Sequence, residues 1–105
     1  MELGTAYMSG RLTVSLRGEL DQHEARETMR ALEDLLEEQL PRELVLDLSG
    51  LTFMDSSGVA LLIRTSRLVR ELGGKIWIED PAPQPKRVIE AAGIGRSIPV
   101  AVRSR

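Results

Sequence analysis

From Leu44 to Gly58 the chain reads Leu-Val-Leu-Asp-Leu-Ser-Gly-Leu-Thr-Phe-Met-Asp-Ser-Ser-Gly, an apolar strand that leads to the polar start of a helix. Within it, Leu44 to Leu48 is interrupted only by Asp47, the pattern of a central parallel strand covered on both faces. Parallel strands need crossover connections, usually helices, so this one segment commits the chain to an α/β arrangement. It also carries Asp55, Ser56 and Ser57 to a helix N-terminus, where unpaired backbone N–H groups and the helix dipole tolerate an anion. Ser56 therefore reads as a switch residue, a hydroxyl placed to carry a phosphate.

Alternation elsewhere supplies the rest of the sheet. Leu12, Val14 and Leu16 alternate with Thr13, Ser15 and Arg17, and Ser9-Gly10 before them turns a hairpin with Thr5 to Met8. From Gln22 the period becomes helical, with Ala25, Met29, Leu32, Leu36 and Leu40 on one stripe. Asp21 is its N-cap, Glu24 completes a capping box, and Pro41 stands beyond its end. A second helix follows the serines on Val59, Leu62, Ser66, Val69 and Leu72, and exits through Gly73-Gly74. Lys75 to Glu79 is a strand; Pro81, Pro83 and Pro85 delimit a loop and a helix start. The third helix, with Val88, Ile89 and Ala92, stops at Gly93, where Ile94 closes it. Ile98-Pro99-Val100 fits only an edge strand, because Pro99 has no N–H. The order β-β-α-β-α-β-α-β predicts one domain over residues 1–105: a mixed, mostly parallel sheet with helices packed on it, folded to about residue 101, with 102–105 as a tail.

Composition narrows the function. The net charge of -2 comes from interspersed acids and bases, so the chain lacks the electrostatic footprint for direct contact with nucleic acid or an anionic membrane. Aromatic residues make up 3% of the chain, too few for a stacking platform. No leader or membrane-length apolar run is evident, which predicts a cytoplasmic protein. With no cysteine there is no thiol chemistry, and the acids and the single His23 show no metal-ligand spacing. No Gly-rich phosphate loop is present, so no cofactor is expected and any phosphoryl group must come from another protein.

Three readings of Met54-Asp55-Ser56-Ser57-Gly58 compete. A serine on a strand-to-helix turn resembles the nucleophile elbow of hydrolases, and Asp21 with His23 would complete a triad, but Met54 replaces the elbow's first glycine. Capping of the second helix accounts for Asp55 or Ser56 alone. A phospho-acceptor accounts for the whole group, with Gly58 leaving the helix end flat and accessible at some cost in helix stability. The residues by themselves leave capping and phospho-switch side by side. Parallel topology brings Glu19-Leu20-Asp21 to the same sheet edge as Ser56.

Gly18-Glu-Leu-Asp21, Leu44-Val-Leu-Asp-Leu48, Phe53-Met-Asp-Ser-Ser-Gly58 and Gly73-Gly74 before a strand together resemble the anti-sigma factor antagonists of the STAS domain family. The resemblance runs from the first hairpin to the third helix, and Phe-Met-Asp-Ser-Ser-Gly is most similar to the antagonists of the anti-sigma F factor in sporulating bacteria. It implies a protein that is not an enzyme but a partner-switching regulator. The unphosphorylated form binds an anti-sigma factor that is also a serine kinase and frees its sigma factor; phosphorylation on Ser56 switches it off, and a serine phosphatase restores it. The partner surface it implies contains Asp21, Met54, Asp55, Ser56, Ser57 and Gly58. A general-stress antagonist and a STAS interaction module that ignores phosphorylation remain as alternatives. Arg64-Thr65 departs from the smaller residue and arginine of the sporulation subfamily, which bears on the kinase contacts.

Overall fold

The computed structural model describes residues 1–102; of the expected tail, residues 103–105 lie outside the described residues. Strands β1 (Glu2–Met8) and β2 (Arg11–Leu20) form the antiparallel hairpin, longer than its sequence pattern suggests. Ser9 and Gly10 both take positive φ (51° and 85°), the two-residue turn whose twist matches the strands. Helix α1 (Gln22–Gln39) follows, then β3 (Glu43–Asp47), β4 (Leu51–Met54) and α2 (Ser56–Glu71). The chain ends with β5 (Lys75–Glu79), α3 (Pro83–Ala91), a single 3-10 turn over Ile94–Arg96, and β6 (Val100–Ala101). The sheet order is β1-β2-β3-β5-β6, with β4 attached to β2 and every pairing after the hairpin parallel. A mixed, mostly parallel sheet is what the sequence predicts.

The β4 strand is new relative to that prediction, which places no strand between Leu48 and the second helix. It arises because β2 is long enough to serve two partners. Arg11 to Ser15 pair with β3, and Gly18 to Leu20 pair with β4, with a register shift between Gly18 and Glu19. Gly18 sits at φ +107°, a conformation that L side chains rarely adopt, and its N–H donates to the Gly50 carbonyl (3.0 Å).

The cover expected on both faces of β3 is present, and two other expectations change. The inner residues Leu12, Val14, Leu16, Leu44, Leu46, Ile76 and Ile78 join Leu32, Leu36, Leu62, Val69 and Ile89 in one core, so β3 is roofed by helices on one face. Its other face is closed by side chains: Val45 lies between Thr13 and Trp77 in the strand register, and the Arg11 guanidinium stacks 4.9 Å from the Trp77 ring centre. Leu40, placed on the buried stripe of α1, is instead its exposed left-handed C-cap (φ 45°), because the Pro41 that follows disfavours another helical residue. Pro99 precedes the last strand rather than lying inside it; its carbonyl accepts from the Ile78 N–H (2.9 Å), while β6 forms from Val100 and Ala101 at the sheet edge.

Candidate functional site

The β2–β4 pairing builds the site. Glu19 lies opposite Phe53 and Leu20 opposite Met54, and the Asp55 N–H faces the Leu20 carbonyl at 3.4 Å. Two parallel strands therefore end side by side, and each turns into a helix through an aspartate. Asp21 caps α1, its Oδ1 accepting the Glu24 N–H (3.0 Å), and Asp55 caps α2, its Oδ1 accepting the Ser57 N–H (2.8 Å). Both caps have extended backbone, so the two helix N-termini emerge as neighbours. The Glu24 carboxylate lies 4.0 Å from the Met1 nitrogen, which ties the start of β1 to this corner.

This arrangement separates capping from everything else at the motif. Asp55 is the cap, which leaves Ser56 as the first helical residue, exposed, and not the residue that closes the helix end. Ser57 is half-buried beside it. Met54 and Gly58, expected on a partner surface, lie beneath it: Met54 is fully buried, and a Cβ on Gly58 would stand 2.3 Å from the Met54 Cγ and 2.9 Å from its Sδ. Gly58 is thus required by close packing of the helix start on Met54 and Leu20, not by a flat exterior. The accessible surface comes from Asp21, Asp55, Ser56 and Ser57.

A shallow depression beside the two caps is lined by Asp21, His23, Glu24, Arg26, Glu27 and Asp55, four carboxylates against one guanidinium and one imidazole. Neither serine lines it, and the Asp21 carboxylate is engaged with the Glu24 N–H, so the geometry does not assemble a serine–histidine–aspartate triad. Among the described residues no three acidic or histidine side chains converge to hold a metal, and no helix is long and apolar enough to cross a membrane. Arg64 is exposed and pairs with Glu33 (3.2 Å), whereas Thr65 is buried with its hydroxyl 3.6 Å from the Met29 sulfur. Thr65 is therefore an internal contact between α1 and α2 and is not available to a partner.

Sequence reasoning overlooked Gln84. Its carboxamide makes two hydrogen bonds to one residue of β4: Oε1 accepts the Met54 N–H (2.9 Å) and Nε2 donates to the Met54 carbonyl (3.0 Å). Its place between Pro83 and Pro85 marks a helix start and says nothing of a partner 30 positions away.

Comparison with known proteins settles the family. The model of the STAS domain matches residues 6–104, nearly the whole chain. The chain belongs to the STAS domain family. An anti-sigma F factor antagonist of Paenibacillus polymyxa is 27% identical over 100 residues, covering 95% of this STAS chain and 86% of that protein. An anti-sigma F factor antagonist of Lysinibacillus sphaericus is 31% identical over 84 residues, covering 80% and 72%. Among solved structures, the anti-sigma factor antagonist SpoIIAA in its unphosphorylated form superposes with a TM-score of 0.83 at 21% identity, covering 99% of this chain and 90% of that one. The phosphorylated form of the Bacillus protein gives a TM-score of 0.75 at 21% identity, covering 99% and 93%. At that identity the two structures speak to the fold, which they share with this STAS domain throughout.

Proposed function

We propose that this STAS domain is an anti-sigma factor antagonist whose binding to an anti-sigma factor is switched off by phosphorylation of Ser56. The observation that carries the reading is the division of labour at the α2 start. Asp55 satisfies the Ser57 N–H, so the exposed Ser56 hydroxyl is left to solvent at the positive end of a helix dipole. The curated relatives named as anti-sigma F factor antagonists support it. The kinase is the anti-sigma factor itself, supplying the ATP for which this chain has no phosphate loop, and a serine phosphatase reverses the modification. The unmodified chain releases a sigma factor by occupying its inhibitor.

Asp21, Asp55, Ser56 and Ser57 form the contact surface, so a phosphate on Ser56 falls inside it. Replacing Asp21 by alanine should cost about 1 kcal/mol of folding stability through the lost cap, measured by chemical denaturation. Partner affinity should fall by about tenfold or more in the same variant, because the carboxylate also meets the partner. Parental affinity in the folded variant, beside the loss of stability, would reduce Asp21 to a cap.

The direct test is site-resolved phosphopeptide mass spectrometry on the protein from its own cells, with co-purified proteins compared before and after phosphatase treatment. Phosphate on Ser56, and a serine kinase captured only by the dephosphorylated form, is the expected result. A Ser56 unmodified under every growth condition, or capture indifferent to its phosphate, would return the domain to a constitutive interaction module.

A further inference from the structure

The geometry points to Gln84 as a positioning residue for phosphoryl transfer to Ser56, a clamp on the β4 backbone that fixes where the acceptor hydroxyl stands. The inference rests on the reading of Ser56 as the phospho-acceptor. In the parallel pairing of β4 with β2, Asp55 turns its N–H toward Leu20, so the N–H and carbonyl of Met54 point to the opposite side, where no further strand runs among the described residues. The Gln84 carboxamide stands there instead. It presents one acceptor and one donor with the spacing of a peptide group, and both bonds have the ordinary N–H···O length (2.9 and 3.0 Å). A single side chain thus does for Met54 what a neighbouring strand would do, two residues ahead of Ser56.

The mount of that side chain is stiff. Gln84 is the second residue of α3 and lies between Pro83 and Pro85, whose rings hold φ near the helical value, and Pro85 is buried. The Ala82 N–H, just before, donates to the Leu48 carbonyl (3.3 Å), which anchors the entrance to α3 on the end of β3. Met54 is held from its other sides as well, by Gly58 packed onto its side chain and by the adjoining β2. The Met54–Ser56 segment is therefore fixed by three separate elements, and only the Gln84 contact can be removed without touching the strand, the cap or the exposed surface. Transfer to a misplaced hydroxyl is slow even where binding is intact, since geometry at the reacting atom governs the chemical step.

The test uses the serine kinase captured from the protein's own cells, the full chain, and the variants Gln84→Leu and Gln84→Glu. Leucine removes both bonds with an apolar side chain one atom shorter; glutamate retains the acceptor for the Met54 N–H and loses the donor to the carbonyl. Expected for Gln84→Leu is a fall of about tenfold in kcat for Ser56 phosphorylation with KM within about twofold, read well below the unfolding temperature. Gln84→Glu should fall between the parent and the leucine variant, and exchange of the Met54 amide should quicken about tenfold in Gln84→Leu. Parental kcat in Gln84→Leu, or a raised KM with kcat unchanged, overturns the proposal, the latter by moving Gln84 into recognition. Absence of phosphate on Ser56 in the parent protein overturns both this inference and the proposed function, whereas a phosphorylated parent with an indifferent Gln84→Leu overturns this one alone.

Discussion

Stoichiometric phosphorylation of Ser56 is expected to lower partner affinity by about 100-fold or more, while Ser56→Ala accepts no phosphate and binds as the unmodified parent does. Ser56 is exposed and the helix cap is supplied by Asp55, so alanine there should change folding stability by no more than about 0.5 kcal/mol, the usual span for a surface substitution. The phosphate adds a charge of about -1.5 to -2 beside Asp55 and Asp21. Within the domain the two effects oppose each other, because the dipole of α2 favours the anion by up to about 1 kcal/mol while the adjacent carboxylates resist it. In a complex the balance is different. A like charge brought to 4 Å near a protein surface costs about 4 kcal/mol, and a 100-fold loss of affinity requires only about 2.8 kcal/mol. Isothermal titration of the captured anti-sigma factor with parent, phosphorylated parent and Ser56→Ala checks the prediction. Equal affinities for the first two would sink the switch, and a Ser56→Ala as weak as the phosphorylated form would mean that the hydroxyl itself is recognised.

The parts of this site that were legible in the sequence are those that obey a local rule. Asp21 and Asp55 precede helical periodicity, and each does cap its helix; Leu44 to Leu48 reads as a buried strand and is one. What escaped depends on contacts between distant segments. Leu51–Met54 has its two buried residues at the ends and two exposed ones between them, so no period of two marks it, and it becomes a strand only because β2 continues past β3. Gly58 resembles a glycine chosen for an open helix end, yet the reason for it is the buried Met54, four residues back in the chain and pressed beneath it. Gln84 is 30 positions from the carbonyl it satisfies, and neither periodicity nor propensity reports a side chain that stands in for a strand. The reading of β3 as covered on both faces holds, and the cover of its second face is again a contact between distant segments: Val45 is buried beside Trp77, on which the Arg11 guanidinium stacks.

The contact between Gly58 and Met54 carries the largest expected effect on stability and can be separated into its parts. Met54→Ala removes a fully buried side chain under the α2 start and should cost about 2–5 kcal/mol in urea denaturation. Gly58→Ala introduces a Cβ 2.3 Å from the Met54 Cγ and 3.3 Å from the Leu20 Cδ2, so the fully buried methionine must leave its rotamer. Overpacking of that kind costs about 1–3 kcal/mol, and the better helix propensity of alanine returns about 1 kcal/mol, for a net loss of up to about 2 kcal/mol. The double variant should be more stable than the sum of the singles by at least about 1 kcal/mol, because the new methyl occupies space that the truncated residue vacates. Additivity within about 0.5 kcal/mol would show that the two residues do not compete for that space. Since both lie under the surface, the folded variants should keep the affinity of the parent for the anti-sigma factor; a specific loss of binding in Met54→Ala at full folding would bring Met54 back to the partner surface that its place in the motif suggests.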